Sequence, residues 1–389
     1  MQILQIVPSI SLIYGGPSQM VLGLAPALAK AGVKVTVITT DSNGDTGQTP
    51  LDVPLNQPVD QDGYEIIYFR CAPFRRYKFS LDLLKWLNHH AQDFDLAHIH
   101  ALFSPVSSAA ATICRQKNLP YILRPLGTLD PADLRKKQQL KKLYVAMIER
   151  ANLAGAAAVH FTSTQEAKIS ERFGVKTKDL VIPLGVNPPI LSNEDVLSRW
   201  GIAKDKPVIL FMSRIDPKKG LELLIPALEE LLTAGYDFHF VLAGTNPQDP
   251  GYEEKIKTQI ANSSLRSHTS ITGFVTGVAK ASLLQAADIF VLPSYYENFG
   301  IAVAEAMVAG TPVVISDQVH IYQQVEDSAS GWVGTTDTQS LVELLKQALS
   351  NPAERQRRGE NARNYALENF SWQAIALQMI QAYKSITKL

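Results

Sequence analysis

Short β-branched runs alternate with longer helical patterns over almost the whole chain, and the alternation stops and restarts once. That rhythm is the signature of parallel α/β sheets covered by helices on both faces. In the first half the expected strands are Gln2–Val7, Lys34–Thr39, Glu65–Phe69, Leu96–His100, Tyr121–Arg124, Ala158–Thr162 and Leu180–Pro183. The helices expected between them are Ser18–Ala31, Ser80–Ala91, Val106–Lys117, Ala132–Ala151 and Thr164–Phe173. The polar stretch Gly44–Asp62 has no periodicity and reads as a mobile loop. After Leu184-Gly185-Val186 comes a Pro-bearing, polar linker with a short helix at Asn193–Trp200. The pattern resumes with strands Val208–Met212, Asp237–Ala243, Thr269–Thr272, Ile289–Leu292 and Pro312–Ile315. Its helices are Leu221–Ala234, Tyr252–Asn262, Val278–Ala286, one around Glu305, and Thr338–Ser350. A last helix, Ser371–Ile386, has Ser371 as its N-cap.

A chain of 389 residues is too long for one ordinary core. The economical solution is α/β: two doubly wound domains facing each other across a cleft, with ligands at the carboxyl ends of the strands. The expected boundaries are 1–187 for the first domain, 188–205 for the linker, 206–370 for the second domain and 371–389 for the closing helix.

Composition narrows the function. Thirty-seven basic residues balance 37 acidic ones, which argues against a nucleic-acid binder. Cys71 and Cys114 lack metal-ligand spacing and read as reduced thiols of a cytoplasmic protein. The start MQILQIVPSI has neither the basic lead nor the apolar core of a signal peptide, and no apolar run approaches a membrane span. Membrane contact is therefore peripheral at most.

Chemistry concentrates in Ser294–Val314. Glu297 lies in a loop after an apolar strand, and Glu305 follows on a helix that is otherwise apolar from Ile301 to Ala309. A carboxylate there has no charged neighbour to pair with and needs a hydrogen-bonding partner. Vicinal hydroxyls of a ribose are one, and the Phe299-Gly300 helix start offers backbone N–H groups to a phosphate. In Ser213–Gly220, directly after a strand, Arg214 supplies a planar fork of donors and Lys219 a point charge, a combination suited to a pyrophosphate. Gly15-Gly16-Pro17 precedes the first helix and permits close backbone approach, without the G-x-G-x-x-G of a dinucleotide site.

Other signals support these. His98 and His100 point the same way from a buried strand, and no Cys or carboxylate motif completes a metal site; His100 is nearer the cleft. Gly273-Phe274 follows a strand and suits a base edge. The basic run Arg135–Lys142, with Arg75, Arg76 and Lys78 among the aromatics Phe74, Tyr77 and Phe79, offers an attraction to anionic lipid or an acidic acceptor.

Together these residues resemble the nucleotide-sugar-dependent glycosyltransferases of the two-Rossmann GT-B fold, in the large retaining group called family four. The resemblance covers nearly the whole chain. The E-x7-E motif matches Glu297 and Glu305, the Arg/Lys clamp Arg214 and Lys219, the Gly-Gly loop Gly15 and Gly16, and the family histidine His100. The resemblance implies Glu305 on the ribose and Glu297 at the donor sugar. Arg214 and Lys219 would hold the diphosphate with backbone amides at Phe299, Gly300 and Ile301, Gly273 and Phe274 would frame the base, and His100 and Gly16 would meet the donor from the first domain. The first domain becomes the acceptor side, and the final helix returns to it.

Two positions depart from the family pattern. Asn298 stands where many relatives have glycine, which reshapes the donor-sugar pocket, and Leu184 stands where many have asparagine. The implied reaction moves a sugar from a UDP- or GDP-sugar to a hydroxyl of a polysaccharide, lipid-linked glycan or glycolipid, with retention and with no metal or other cofactor. A nucleotide-sugar epimerase and a non-catalytic nucleotide-sugar-binding protein are the alternatives from other classes.

Overall fold

The computed structural model describes residues 1–14, 16–44, 48–72, 77–134, 144–189, 198–202 and 206–388. Gly15, Phe74, Arg75, Arg76, the Arg135–Lys142 run and most of the expected linker helix lie outside the described residues. The chain forms two compact units, Met1–Gly185 with Trp372–Leu389, and Val186–Ser371.

The sheet of the first unit contains β1 (Gln2–Ile6), β2 (Lys34–Thr40), β3 (Pro58–Gln61), β4 (Tyr64–Phe69), β5 (Leu96–His100), β6 (Tyr121–Arg124), β7 (Ala158–Phe161) and β8 (Asp179–Val181). Their order is β3-β4-β2-β1-β5-β6-β7-β8. All neighbours are parallel except β3 and β4. The order reverses between β1 and β5, and that switch opens a crevice at their carboxyl ends. Central strands such as β5 are buried along their whole length, which is why they read as unbroken apolar runs.

The expected loop Gly44–Asp62 is corrected at its end. Residues 58–61 form β3 and turn back through Asp62-Gly63, both with positive φ (47° and 88°), as a two-residue hairpin turn requires.

The second unit holds β9 (Val208–Met212), β10 (His239–Ala243), β11 (Thr269–Gly273), β12 (Ile289–Leu292), β13 (Val313–Ser316) and β14 (Gly331–Gly334). These are parallel, in the order β11-β10-β9-β12-β13-β14, with the reversal between β9 and β12. Strand β14 and the helix Pro352–Asn369 were not among the expected elements. The helix buries only Arg355, Gly359, Ala362 and Ala366, a helically spaced face without large apolar side chains. Small residues let it approach closely: a Cβ on Gly359 would stand 2.3 Å from the Gly310 carbonyl oxygen at the end of the Ile301–Ala309 helix.

Within the second unit its first and last segments run side by side, with the Val186 N–H donating to the Phe370 carbonyl at 2.7 Å. The closing helix, Trp372–Thr387, belongs to the first unit and packs on the Gly16–Lys30 helix. It buries Ile375, Ala376, Met379 and Tyr383. Cys71 and Cys114 are buried and not joined in a disulfide, and burial pushes the Cys114 thiol up to about 12. Among the described residues no helix is long and apolar enough to cross a membrane.

Candidate functional site

In the second unit the loops after β9, β10, β11 and β12 all leave the carboxyl edge of the sheet. The loop after β9 is the most constrained. Asp216 caps the turn Pro217–Lys219 by accepting the Lys218 N–H at 3.0 Å, and Gly220 ends it at φ 71°. Gly220 tolerates no side chain, since a Cβ would lie 2.1 Å from the Pro293 carbonyl oxygen. Gly244, after β10, is equally confined: its Cβ would lie 1.9 Å from the Ser213 carbonyl oxygen. These close approaches draw three loops into one rim.

Lys219 is thereby aimed at Glu297, and its Nζ donates to Glu297 Oε2. Glu297 is itself held by its backbone, its N–H donating to Gln318 and its carbonyl accepting from His320, each at 3.0 Å. Arg214 is half-exposed; its guanidinium donates to Gln248 Oε1 at 3.4 Å and stands 3.6 Å from Asp216. The Ile301–Ala309 helix starts after Gly300 (φ 81°), and no side chain among the described residues caps it, the kind of helix start that can bind an anion. Phe299 is buried edge-on against Phe370, which anchors this start. Asn298 Oδ1 is buried and has no hydrogen-bond partner among the described residues.

Glu305 corrects one expectation. Its helix offers no charged neighbour, but Lys280 on the Gly277–Ala286 helix donates to Glu305 Oε1 at 2.5 Å. Gly273 (φ 72°) has open space where a Cβ would stand, and Phe274 beside it is 76% exposed. The fold thus brings Arg214, Lys219, Gly273, Phe274, Asn298, Phe299, Gly300, Ile301, Glu297 and Glu305 into one unit. Gly16 and His100 belong to the other, where Gly16 begins the first helix.

His100 is 1% exposed and stands in a buried polar row with Gln5, His98, Arg124, His160 and Tyr383. Desolvation, aided by the neighbouring Arg124 guanidinium, holds His98 and His100 well below the usual imidazole value and His160 at about 3. Arg124 drops to about 10 for the same reason and stays charged at neutral pH. Sequence reading missed Gln5, Arg124 and Tyr383; a charged residue ending the apolar strand YILR was the available signal.

One residue beyond His100, at the switch between β1 and β5, lies a pocket of about 370 Å³. Tyr14, Tyr77 and Phe103 give it aromatic walls, and Lys78 gives it a cation that sits 4.3 Å from the Tyr14 ring centroid. Four of its lining residues, Lys78, Ala101, Phe103 and Leu126, have positive φ between 52° and 67°. Such backbone strain gathers at ligand-binding sites. Among the described residues no group of three His, Cys, Asp or Glu is arranged to hold a metal ion.

Residues 15–185 match the "Glycosyl transferase 4-like domain" family and residues 192–365 match "Glycosyl transferases group 1". The chain is 32% identical over 193 residues to an alpha-D-kanosaminyltransferase of Streptomyces kanamyceticus; that match spans 49% of this chain and 49%, about half, of the relative. It is 26% identical over 410 residues to the D-inositol 3-phosphate glycosyltransferase of Xylanimonas cellulosilytica, covering 96% and 92% of the two chains. Among solved structures, Anabaena HepE in complex with UDP superimposes with a TM-score of 0.77 at 19% identity, over 99% of this chain and 100% of that one. The chain belongs to the group 1 glycosyltransferases of the GT-B fold.

Proposed function

We propose that this protein transfers a sugar from a nucleoside diphosphate sugar to an acceptor hydroxyl with retention of configuration. The observation that carries the reading is the Lys219–Glu297 pair beside an uncapped helix start, with Arg214 on the same rim. In the reaction the bond from the anomeric carbon to the diphosphate oxygen breaks, and the electron pair leaves with the nucleoside diphosphate. The acceptor oxygen bonds to the anomeric carbon on the same face, and its proton passes to the leaving diphosphate. Negative charge grows on that diphosphate, where Arg214, Lys219 and the Phe299–Ile301 amides stabilise it. With that positive charge supplied by the chain, the reading calls for no metal ion.

Glu305 would accept hydrogen bonds from the ribose, Glu297 would meet the sugar, Gly273 and Phe274 would frame the base, and Asn298 Oδ1 would add an acceptor beside the sugar. Gly15, Gly16 and His100 would serve the donor from the first unit. UDP in the structural neighbour supports a uridine donor, with guanosine as the other choice. The first unit's pocket would take the acceptor, and the inositol phosphate in a relative's name fits a hydroxylated acceptor with an anionic group for Lys78. A lipid-linked acceptor would bring the protein to an anionic membrane from the cytoplasm, through the basic Arg135–Lys142 run.

The test is a thermal-shift panel of nucleotide sugars, followed by donor consumption with polyol phosphate and lipid acceptors. Lys219→Ala is expected to lower turnover by about 100-fold or more. Transfer left intact by both Lys219→Ala and Glu297→Ala would overturn the site. Isomerisation of the donor without an acceptor would make the protein an epimerase.

A further inference from the structure

The buried row in the first unit has a direction. The Ile182 carbonyl can only accept, so His160 Nε2, 2.9 Å away, carries its proton. His160 is neutral, which leaves Nδ1 as an acceptor, and His98 Nε2 donates to it at 3.3 Å. His98 Nδ1 must then accept, so the Tyr383 hydroxyl donates to it at 2.8 Å. The Tyr383 oxygen in turn accepts from the Gln5 amide nitrogen at 3.1 Å. That settles which way the Gln5 amide faces: its Oε1 is turned to His100, whose Nε2–H donates at 2.8 Å. Every member from Ile182 to His100 has one permitted role.

The far end of the row is His100 Nδ1, a buried atom with no hydrogen-bond partner among the described residues. The groups facing it keep the imidazole neutral. Arg124 lies opposite His100 in the β5–β6 register, and its Nε and Nη1 are also buried without partners among the described residues. His98 stacks on His100 at 4.6 Å between ring centroids, and Glu166 acts on Arg124 rather than on the imidazoles. An imidazole without this row would exchange freely between its two tautomers.

We propose that Gln5 and Tyr383 are positioning residues that lock His100 in its Nε2–H tautomer, so that Nδ1 accepts a hydrogen bond from a hydroxyl of the bound sugar. The sugar contact rests on the glycosyl-transfer reading; the tautomer does not. A hydroxyl suits these unmet groups by its chemistry, since it can donate to an acceptor such as Nδ1 and accept from a donor such as an Arg124 N–H. The row also ties the site to the closing helix, because Tyr383 comes from that helix.

Histidine 15N NMR on the full chain decides the tautomer without any variant: Nε2–H at His100 is expected, and Nδ1–H would overturn the proposal. In Tyr383→Phe and in Gln5→Leu, His100 should become a mixture of tautomers, and a single unchanged Nε2–H form in both would also overturn it. With a donor in hand, Tyr383→Phe should lower kcat by about tenfold while leaving the donor KM within about twofold. In a His100→Gln background the same change should cost nothing further, whereas an equal loss in both backgrounds marks Tyr383 as merely structural. If no donor is turned over, the spectra still decide the tautomer and only the transfer reading fails.

Discussion

Glu297 and Glu305 each meet a lysine, and the two pairs are unlike in how they were visible. Lys219 and Glu297 both sit in strand-end segments whose local pattern marks them. Lys280 is 25 residues from Glu305 on another helix, and no spacing in the sequence announces it. Both pairs are partly exposed, so each contributes only about 0–1 kcal/mol to folding. Their value lies in orienting the two carboxylates along the rim of the second unit. Glu305→Gln keeps the shape and one acceptor but loses the charge, and the nucleoside diphosphate Kd should rise about tenfold by calorimetry, with stability changed by less than about 1 kcal/mol. An unchanged Kd would remove Glu305 from the ribose.

Elements were legible where burial writes a pattern. The central strands β1, β5, β9 and β10 are apolar runs because both faces are covered, and their ends were read to within a residue or two. β3 escaped because it is a half-wet edge strand, although Asp62-Gly63 was a hairpin signal in plain view. The Pro352–Asn369 helix escaped because glycine and alanine carry its contact face. The closing helix obeys a similar logic at Gly23, where a Cβ would lie 2.2 Å from the Trp372 indole. Gly23→Ala gains about 1 kcal/mol of helix propensity and loses more to overpacking against a rigid ring. The expected net result is a loss of about 1–2 kcal/mol in urea unfolding. In a Trp372→Leu background, where the space opens, the same substitution should become neutral or stabilising; a loss of equal size there would refute the packing account.

The whole molecule carries its titratable burden unevenly. The first unit buries His98, His100 and His160 as neutral imidazoles, a row that sequence could mark only as His-x-His because Tyr383 and His160 arrive from distant strands and the closing helix. In the second unit His239, buried in β10, is lowered chiefly by desolvation. A native pKa below the unfolded 6.5 means that the unfolded chain takes up protons the native one refuses. That stability is therefore present above pH 6.5 and is lost as pH falls, down to about 3 for His160. The slope is about 1.4 kcal/mol per pH unit for each such histidine. Glu149 acts oppositely, since desolvation raises its native pKa and protonating it favours the fold, but it is one group against three. The second unit's lowered carboxylates, among them Glu354 at about 2, lose their contribution only below the ordinary carboxylate range. Acid between pH 6.5 and 4.5 should therefore loosen the first unit before the second. Native-state hydrogen exchange, corrected for intrinsic rates, should show protection falling in β5–β7 while β9 and β10 keep theirs. Earlier loss in β9 and β10 would mean that the neutral histidine row is not what sets acid stability.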